Sequence, residues 1–488
     1  MNILFIYSLY NARLLNKPLE SPEQIPFGIS YISSVLKKHG HQTNLIVLSR
    51  IFGRENYKII DNFIESFRPK LICFSVVFSE YKFIAGIANY IKNRYPDIYL
   101  LIGGVHASLN PEEVLLDDFD ALCIGEGEYP ALELVSQLEK DKFPSGIRNI
   151  WIKRGSGVER NPTRPFLEDL DSLPFPDREM WQGWIKEKPT ARHAVLLGRG
   201  CPFECAYCCN HALRKISQGQ YVRLRSPDNI VEEIKQIREK PSTHQEIYLE
   251  IETFYINKEW AIELCSKLEY LNKIPAKPIS FGVNLRVTPN TNLEPLFMAF
   301  KKSNFKFVNI GLESGSEIIR QQILRRNYSN QDIINAVRLA REYGLKIVLY
   351  NLMGIPGETF ADFKETIRIN RICLPDNIFI SIFFPYPGTD LYSTSKLQGL
   401  LDAPFETTGE RCKAVLGLPG FNKKQIQKSY QWFYYDVYKG NKPLYKLLSS
   451  VFSAKFESRF GHNYILMSLY KKIIFGIIRC KKLLRSKA

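Results

Sequence analysis

Short apolar runs alternate with amphipathic stretches in two successive parts of the chain. In the first part, Met1–Tyr7, Thr43–Leu48, Leu71–Val77, Ile98–Val105 and Ala121–Ile124 have the length and β-branched content of buried strands. Between them Phe27–His39, Tyr57–Phe67, Tyr81–Tyr95 and the short Pro111–Leu116 read as helices. That alternation predicts a parallel sheet with right-handed crossovers, binding ligands at the carboxyl ends of its strands. The loops at those ends are Ser8–Pro26, Ser75–Tyr81, GGVHASLNP from Gly103 and GEGEYP from Gly125. Glycines there let backbone approach a ligand closely, and taken alone they suit any nucleotide-like molecule.

Proline and charge rise between about Lys140 and Thr190, with LEDLDSLPFPDR at Leu167–Arg178, as in a surface connector between domains. A second series then begins with strand candidates His193–Gly198, Glu246–Ile251, Ile279–Val283, Phe307–Leu312, Lys346–Leu352 and Ile378–Phe384. Ser226-Pro227 marks one helix start, Ser329 with Asp332 resembles a capping box, and Gly344 supplies a stop. Six βα units predict an α/β fold with an incomplete barrel rather than a closed eightfold one. The expected division is residues 1–140, a linker at 141–190, a core at 191–410 and a helical extension at 411–488. No repeat of solenoid period is present.

Length and composition narrow the class. The 488 residues are 45% hydrophobic and 24% charged, enough for two to four packed domains and unlike a disordered or low-complexity chain. Ten cysteines are too sparse for a disulfide scaffold, no leader precedes the first apolar run, and no stretch approaches the ~18 apolar residues of a spanning helix. A cytoplasmic protein with reduced thiols is expected. Of the net charge of +16, +13 lies beyond Gly420, so any partner drawn by charge concerns the tail.

The chemistry concentrates in GRGCPFECAYCCN, Gly198–Asn210. Cys201, Cys205 and Cys208 stand in C-x₃-C-x₂-C spacing directly after a strand. Three thiolates on one loop need a distant fourth ligand to complete a zinc site, whereas they can hold three irons of a cubane and leave the fourth open. The alternatives are a zinc knuckle or thiols brought together by chance. Cys209, beside Cys208, is either a redox partner or a small packed residue.

These residues resemble the cysteine loop of the radical S-adenosylmethionine (SAM) superfamily. The resemblance implies a [4Fe-4S] cluster on Cys201, Cys205 and Cys208, with Tyr207 packing near the adenine of SAM. EIETF, Glu250–Phe254, stands where the family carries an acidic stretch, so Glu250 or Glu252 is the implied partner of the methionyl amine. Arg286 matches a common polar position, and GLESGSE implies SAM contacts by Glu313 and Ser314. MGIPGET from Met353 and FPYPGTDLY from Phe384 resemble the last two strand-end loops.

The first part resembles the Rossmann-like, flavodoxin-like cobalamin-binding domain that precedes the radical SAM core in one subgroup. IPFGISYISSVLKKHGH, FSVVFSE, GGVHASLNPEEV and IGEGE carry that likeness. It implies a slot for the nucleotide tail of cobalamin lined by Ser75, Gly103 and Gly104, with Gly125, Glu126 and Gly127 at its rim. The loop Ser8–Pro26 has no histidine to ligate cobalt, which leaves His106 as a substitute ligand or as an ordinary loop residue. Methylthiotransferases place a different α/β domain here, but theirs needs three cysteines and only Cys73 and Cys123 are present. A plain nucleotide-binding or vestigial domain is the remaining alternative.

Asn463–Lys487 reads as an amphipathic basic helix, suited to an anionic membrane interface or to packing on the barrel, with nucleic acid disfavoured. The resemblances together imply a cobalamin-dependent radical SAM methyltransferase. It would act on an unactivated carbon of a small-molecule or lipid-linked substrate, served by a flavodoxin- or ferredoxin-type reductant. An oxidative cyclase or rearrangement enzyme with the same cofactors, and a cobalamin or redox sensor, are the rival functions.

Overall fold

A computed structural model describes residues 1–9, 17–140, 142–186, 192–239, 246–273, 278–401 and 409–460, together with Leu466. The basic helix expected over Asn463–Lys487 lies outside the described residues.

The first sheet holds β1 (Asn2–Ser8), β2 (Gln42–Leu48), β3 (Leu71–Ser75), β4 (Tyr99–Gly103) and β5 (Ala121–Cys123), parallel and ordered β2-β1-β3-β4-β5. Its helices are α1 (Phe27–Lys38), α2 (Glu55–Phe67), α3 (Phe78–Arg94), the short α4 (Val105–Leu109) and α5 (Pro111–Val114), and α6 (Glu128–Leu138). Successive strand residues face opposite sides of a sheet. Accordingly Phe5, Val47 and Leu101 pack with Ile29 of α1 and Leu134 of α6, while Leu4, Ile46 and Leu100 pack with Ile60 of α2 and Ile84 of α3. The sequence missed α4 because it follows Gly103–Gly104 without an apolar period of its own.

The stretch read as a linker is more than a connector. β6 (Ile150–Arg154) pairs antiparallel with β5, and β7 (Gly157–Arg160) pairs antiparallel with β6, extending the sheet to seven strands. Ile150 and Ile152 are fully buried on its inner face, and Gly155 turns the hairpin at φ +56°. Further on, Asp177 accepts a hydrogen bond from Ser33 at 2.7 Å and pairs with Lys37 at 2.7 Å. Trp181 is fully buried and donates to Ser30 Oγ at 2.9 Å. Its neighbour Arg178 reaches forward to the Ala194 carbonyl and Glu233, each at 2.6 Å. The connector is thus bolted to both domains.

The second domain opens with β8 (His193–Leu196) and a small antiparallel pair, β9 (Gly198–Arg199) with β10 (Arg223–Leu224). β11 (Glu246–Glu250), β12 (Ser280–Leu285), β13 (Phe305–Glu313), β14 (Lys346–Met353) and β15 (Asn377–Ile382) follow. With β8 they make a six-stranded parallel sheet, ordered β15-β14-β13-β12-β11-β8, that does not close. Helices after the strands cover its outer face. The expected capping box forms: Ser329 Oγ accepts from Asp332 N at 3.1 Å and Asp332 accepts from Ser329 N at 2.8 Å. The helix it starts, Asn330–Glu342, runs out just before Gly344 at φ +77°.

Past the barrel, the helix Lys423–Tyr438 buries Ile426, Phe433, Val437 and Tyr438 against the outer core, and Tyr438 donates to the Pro375 carbonyl at 2.7 Å. This helix is part of the barrel wall rather than an appendage. Among the described residues no helix is long and apolar enough to cross a membrane.

Candidate active site

The cysteine loop leaves the carboxyl end of β8 through Gly198-Arg199-Gly200. A Cβ on Gly198 would lie 2.4 Å from the Arg223 carbonyl oxygen, and one on Gly200, at φ +85°, 2.2 Å from that of Tyr221. Only glycines allow this pair of strands to close so tightly. Beyond them Cys205 is buried, while Cys201, Cys208 and Cys209 are partly accessible. Ala206 N donates to the Leu324 carbonyl at 3.3 Å and Leu391 N to the Ala206 carbonyl at 3.0 Å, tying the loop to two later strand ends. A hydrogen bond from the Cys209 thiol, aided by Asn210 against burial, brings Cys208 down to about 6. Burial pushes Cys201 up to about 11, so a metal must displace its proton.

Among the described residues no three His, Cys, Asp or Glu side chains converge on a single ion position. A cubane asks for a different arrangement, one thiolate on each of three irons. The donor set fits it: three thiols on one loop, with Arg286 Nη1 donating to Cys205 Sγ at 2.8 Å and its guanidinium lying 3.6 Å over the Phe203 ring.

The expected SAM contacts separate into groups. Glu250 ends β11 and Glu252 follows it on the same side of the chain. Glu252 is exposed, and its charge reaches the thiols of Cys201 and Cys208. Glu250 sits further back along the strand, where burial, then Glu252 and Glu23, raise it to about 7. Tyr207 accepts from Arg326 at 2.9 Å, and Arg326 pairs with Glu313 at 3.0 Å and donates to Tyr328 at 3.0 Å. Glu313 adopts φ +59° beside a register shift between β13 and β14, which swings its carboxylate back over Gly311. Ser314 is fully buried and accepts from Ser316 N at 3.2 Å, so its hydroxyl serves the loop. Arg326 and Tyr328 were missed in the sequence because they lie beyond the GLESGSE stretch, in a segment without a motif of its own.

In the first domain, Ser75, Gly103, Gly104, Gly125, Glu126 and Gly127 all line one cavity of about 260 Å³. Phe5, Phe27, Ile29, Ile32 and Leu101 make most of its wall apolar. Gly104, at φ +98°, is a cradle that a Cβ would fill, since it would lie 2.7 Å from both N and O of Val76. An apolar slot floored by glycine backbone between sheet and helices suits the flat base of a nucleotide tail. His106 is absent from this lining. It is 2% exposed, its ring lies 4.4 Å from that of Tyr81, and burial lowers it to about 4. Its Nε2 lies 3.5 Å from Glu113, so it is a packed residue of α4.

Glu126, besides lining the slot, joins the two domains. It accepts from Arg199 at 2.8 Å, from Arg223 at 2.9 Å and from Leu167 N at 2.8 Å. Burial would raise its carboxyl, yet the two guanidiniums hold it below the ordinary carboxylate value. The described part of the Ser8–Pro26 loop is tied to the connector and to the start of the second domain: Leu19 N donates to the Trp184 carbonyl at 3.1 Å and Ser21 Oγ to the Arg192 carbonyl at 2.9 Å.

Comparison with known proteins shows what the two domains are. The profile of the Radical SAM superfamily matches residues 195–369, and that of the B12 binding domain matches residues 22–135. The chain is a radical SAM enzyme carrying a B12-binding domain. It is 26% identical to an uncharacterized methyltransferase of Pyrococcus horikoshii over 86% of this chain and 89% of that protein. It is 25% identical to an anaerobic magnesium-protoporphyrin IX monomethyl ester cyclase of Rubrivivax gelatinosus over 80% of this chain and 69% of that protein. Its fold matches the radical SAM methyltransferase TsrM of Kitasatospora setae, solved with cobalamin and a [4Fe-4S] cluster. The TM-score is 0.65 at 16% identity, covering 83% of this chain and 76% of that one. The radical SAM profile begins at Val195 and takes in the cysteine loop and Arg326; the B12 profile takes in all but Phe5 and the contributions of Leu196 and Arg199 to the slot.

Proposed function

We propose that this enzyme is a cobalamin-dependent radical SAM methyltransferase acting on an unactivated carbon. The observation that supports the reading most is the slot lined by Ser75, Gly103 and Gly104, which shares Arg199 with the hairpin that launches the cysteine loop. When bound, a reduced cluster would supply the electron for reductive cleavage of SAM, and cobalamin would supply the methyl group.

The chain's own residues hold and orient these groups. Cys201, Cys205 and Cys208 ligate three irons, and Arg286 places a positive charge beside the Cys205 sulfur. Glu252, close to the thiols, receives the methionyl amine, while Tyr207, Arg326 and Glu313 form a fixed wall for the nucleoside. Ser75, Gly103, Gly104, Gly125 and Gly127 grip the cobalamin tail. With no histidine in Ser8–Pro26 and His106 packed under Tyr81, neither place would offer an imidazole to a bound corrin. Tyr248 and Phe307, stacked on each other beneath Arg192, with Tyr248 joined to Asn309, would limit water entry from the amino ends of the strands.

The substrate is a small or lipid-linked molecule. The apolar exposure of Leu444 and Leu448 on the helix Leu444–Phe460 supports contact with a lipid surface. Similarity to the cyclase favours a second reading, in which the same cofactors perform an oxidative cyclisation without methyl transfer. Incubating reduced, reconstituted protein with methyl-labelled SAM separates them. Label recovered in the corrinoid fraction supports methyl transfer; label remaining wholly on SAM, with cobalamin bound, rejects it.

A further inference from the structure

Arg199 belongs to the radical SAM domain, yet it lines the slot of the B12-binding domain. Its Nη1 donates to Glu126 at 2.8 Å and its Nη2 to Glu128 at 2.5 Å. Both carboxylates also line the slot, and Leu196, at the end of β8, completes that side. Arg223, paired with Arg199 across β9 and β10, donates to Glu126 and to the Leu167 carbonyl at 2.8 Å. The wall is therefore built from both domains.

Arg199 stands two residues before Cys201. Between them Gly200, at φ +85°, runs so close to the Tyr221 backbone that a Cβ would lie 2.2 Å from its carbonyl oxygen, so Cys201 is one closely packed residue away from the β9 backbone that carries Arg199. On the other side, Arg199, Glu126 and Glu128 are largely buried, with side chains 17%, 20% and 5% exposed. A buried charge stripped of its partner is costly, so the three groups move together or not at all.

We infer that Arg199 is a positioning residue that couples the two cofactor sites, so that loading the cluster on Cys201, Cys205 and Cys208 tightens the cobalamin slot, and cobalamin in turn firms the cluster loop. Fixing Cys201 orders the Arg199 wall in advance, and the second cofactor then binds to a site already ordered. Reciprocity follows from thermodynamic linkage. The inference rests on the proposed cobalamin site but concerns how that site is controlled.

The test uses the full chain in two forms, cluster-loaded and cluster-free, each titrated with hydroxocobalamin by absorbance. The expected affinity is at least about fivefold higher in the cluster-loaded form. In Glu128→Gln, and in Arg199→Lys, which cannot bridge both carboxylates, that ratio falls to within about twofold of one. Thermal unfolding of the cluster-free variants checks that they fold. Binding with equal affinity in both forms of the unaltered protein, or an unchanged ratio in both folded variants, overturns the inference. Failure of both forms to bind hydroxocobalamin overturns the cobalamin reading itself, a different outcome.

Discussion

Arg286 brings its Nη1 within 2.8 Å of the Cys205 sulfur, the most buried of the three thiols expected to hold the cluster. A cation and hydrogen-bond donor beside a ligand sulfur stabilises the more negative, reduced cluster and raises its potential. Arg286→Leu should therefore retain its iron and lower the reduction potential by roughly 50 mV. Electron paramagnetic resonance during a redox titration reads the shift, and an unchanged potential would place the guanidinium elsewhere.

Glu250 should betray its position through pH. Burial first, then Glu252 and Glu23, raise its carboxyl to about 7 from 4.5. A carboxyl raised on folding resists ionisation in the folded state, so wild-type stability falls as pH climbs from 4.5 through 7. Glu250→Gln escapes that penalty. Its advantage over wild type should be on the order of 2 kcal/mol at pH 8 and shrink steadily toward pH 5. Thermal unfolding at pH 5, 6.5 and 8 tests it; a constant difference across that range argues against the shift.

Arg326 holds Tyr207, Glu313 and Tyr328 together at 2.9 to 3.0 Å. Removing the charge strands a largely buried Glu313. Arg326→Gln should cost roughly 3 kcal/mol of stability, visible as a lower Tm, and weaken SAM binding. Equilibrium dialysis of SAM against the cluster-loaded variant measures the second effect, and native affinity would exclude these residues from the SAM wall.

Gly103 faces the slot, and a Cβ there meets only Cys123 at 3.6 Å, an ordinary contact. Gly103→Leu should thus fold while filling the cavity, weakening hydroxocobalamin binding by roughly a hundredfold with cluster iron unchanged. Undiminished binding would move the cobalamin tail out of this cavity.

Local patterns carried much of this structure. The parallel strands of both sheets follow apolar runs, and the cysteine loop, the glycines of the slot and the capping box at Ser329 each lie within a few residues of chain. What escaped depends on distant partners. Glu126 looks like a rim residue until Arg199 and Arg223, more than seventy residues on, are seen to claim its carboxylate. His106 looks available until Tyr81 covers it. The β6–β7 hairpin reads as linker because its strands are short and charged, and only β5 gives Ile150 and Ile152 a face to cover. Arg199 itself was visible in GRGC, but nothing in that tetrapeptide says which domain it serves.

The central claim is that this loop holds a cluster able to cleave SAM. Full-length protein, reconstituted anaerobically with iron, sulfide and hydroxocobalamin and then reduced in the presence of SAM, should release 5′-deoxyadenosine, and the Cys205→Ala protein should release none. Absence of 5′-deoxyadenosine from wild-type protein whose cluster is loaded and reduced, or equal release by Cys205→Ala, would contradict it.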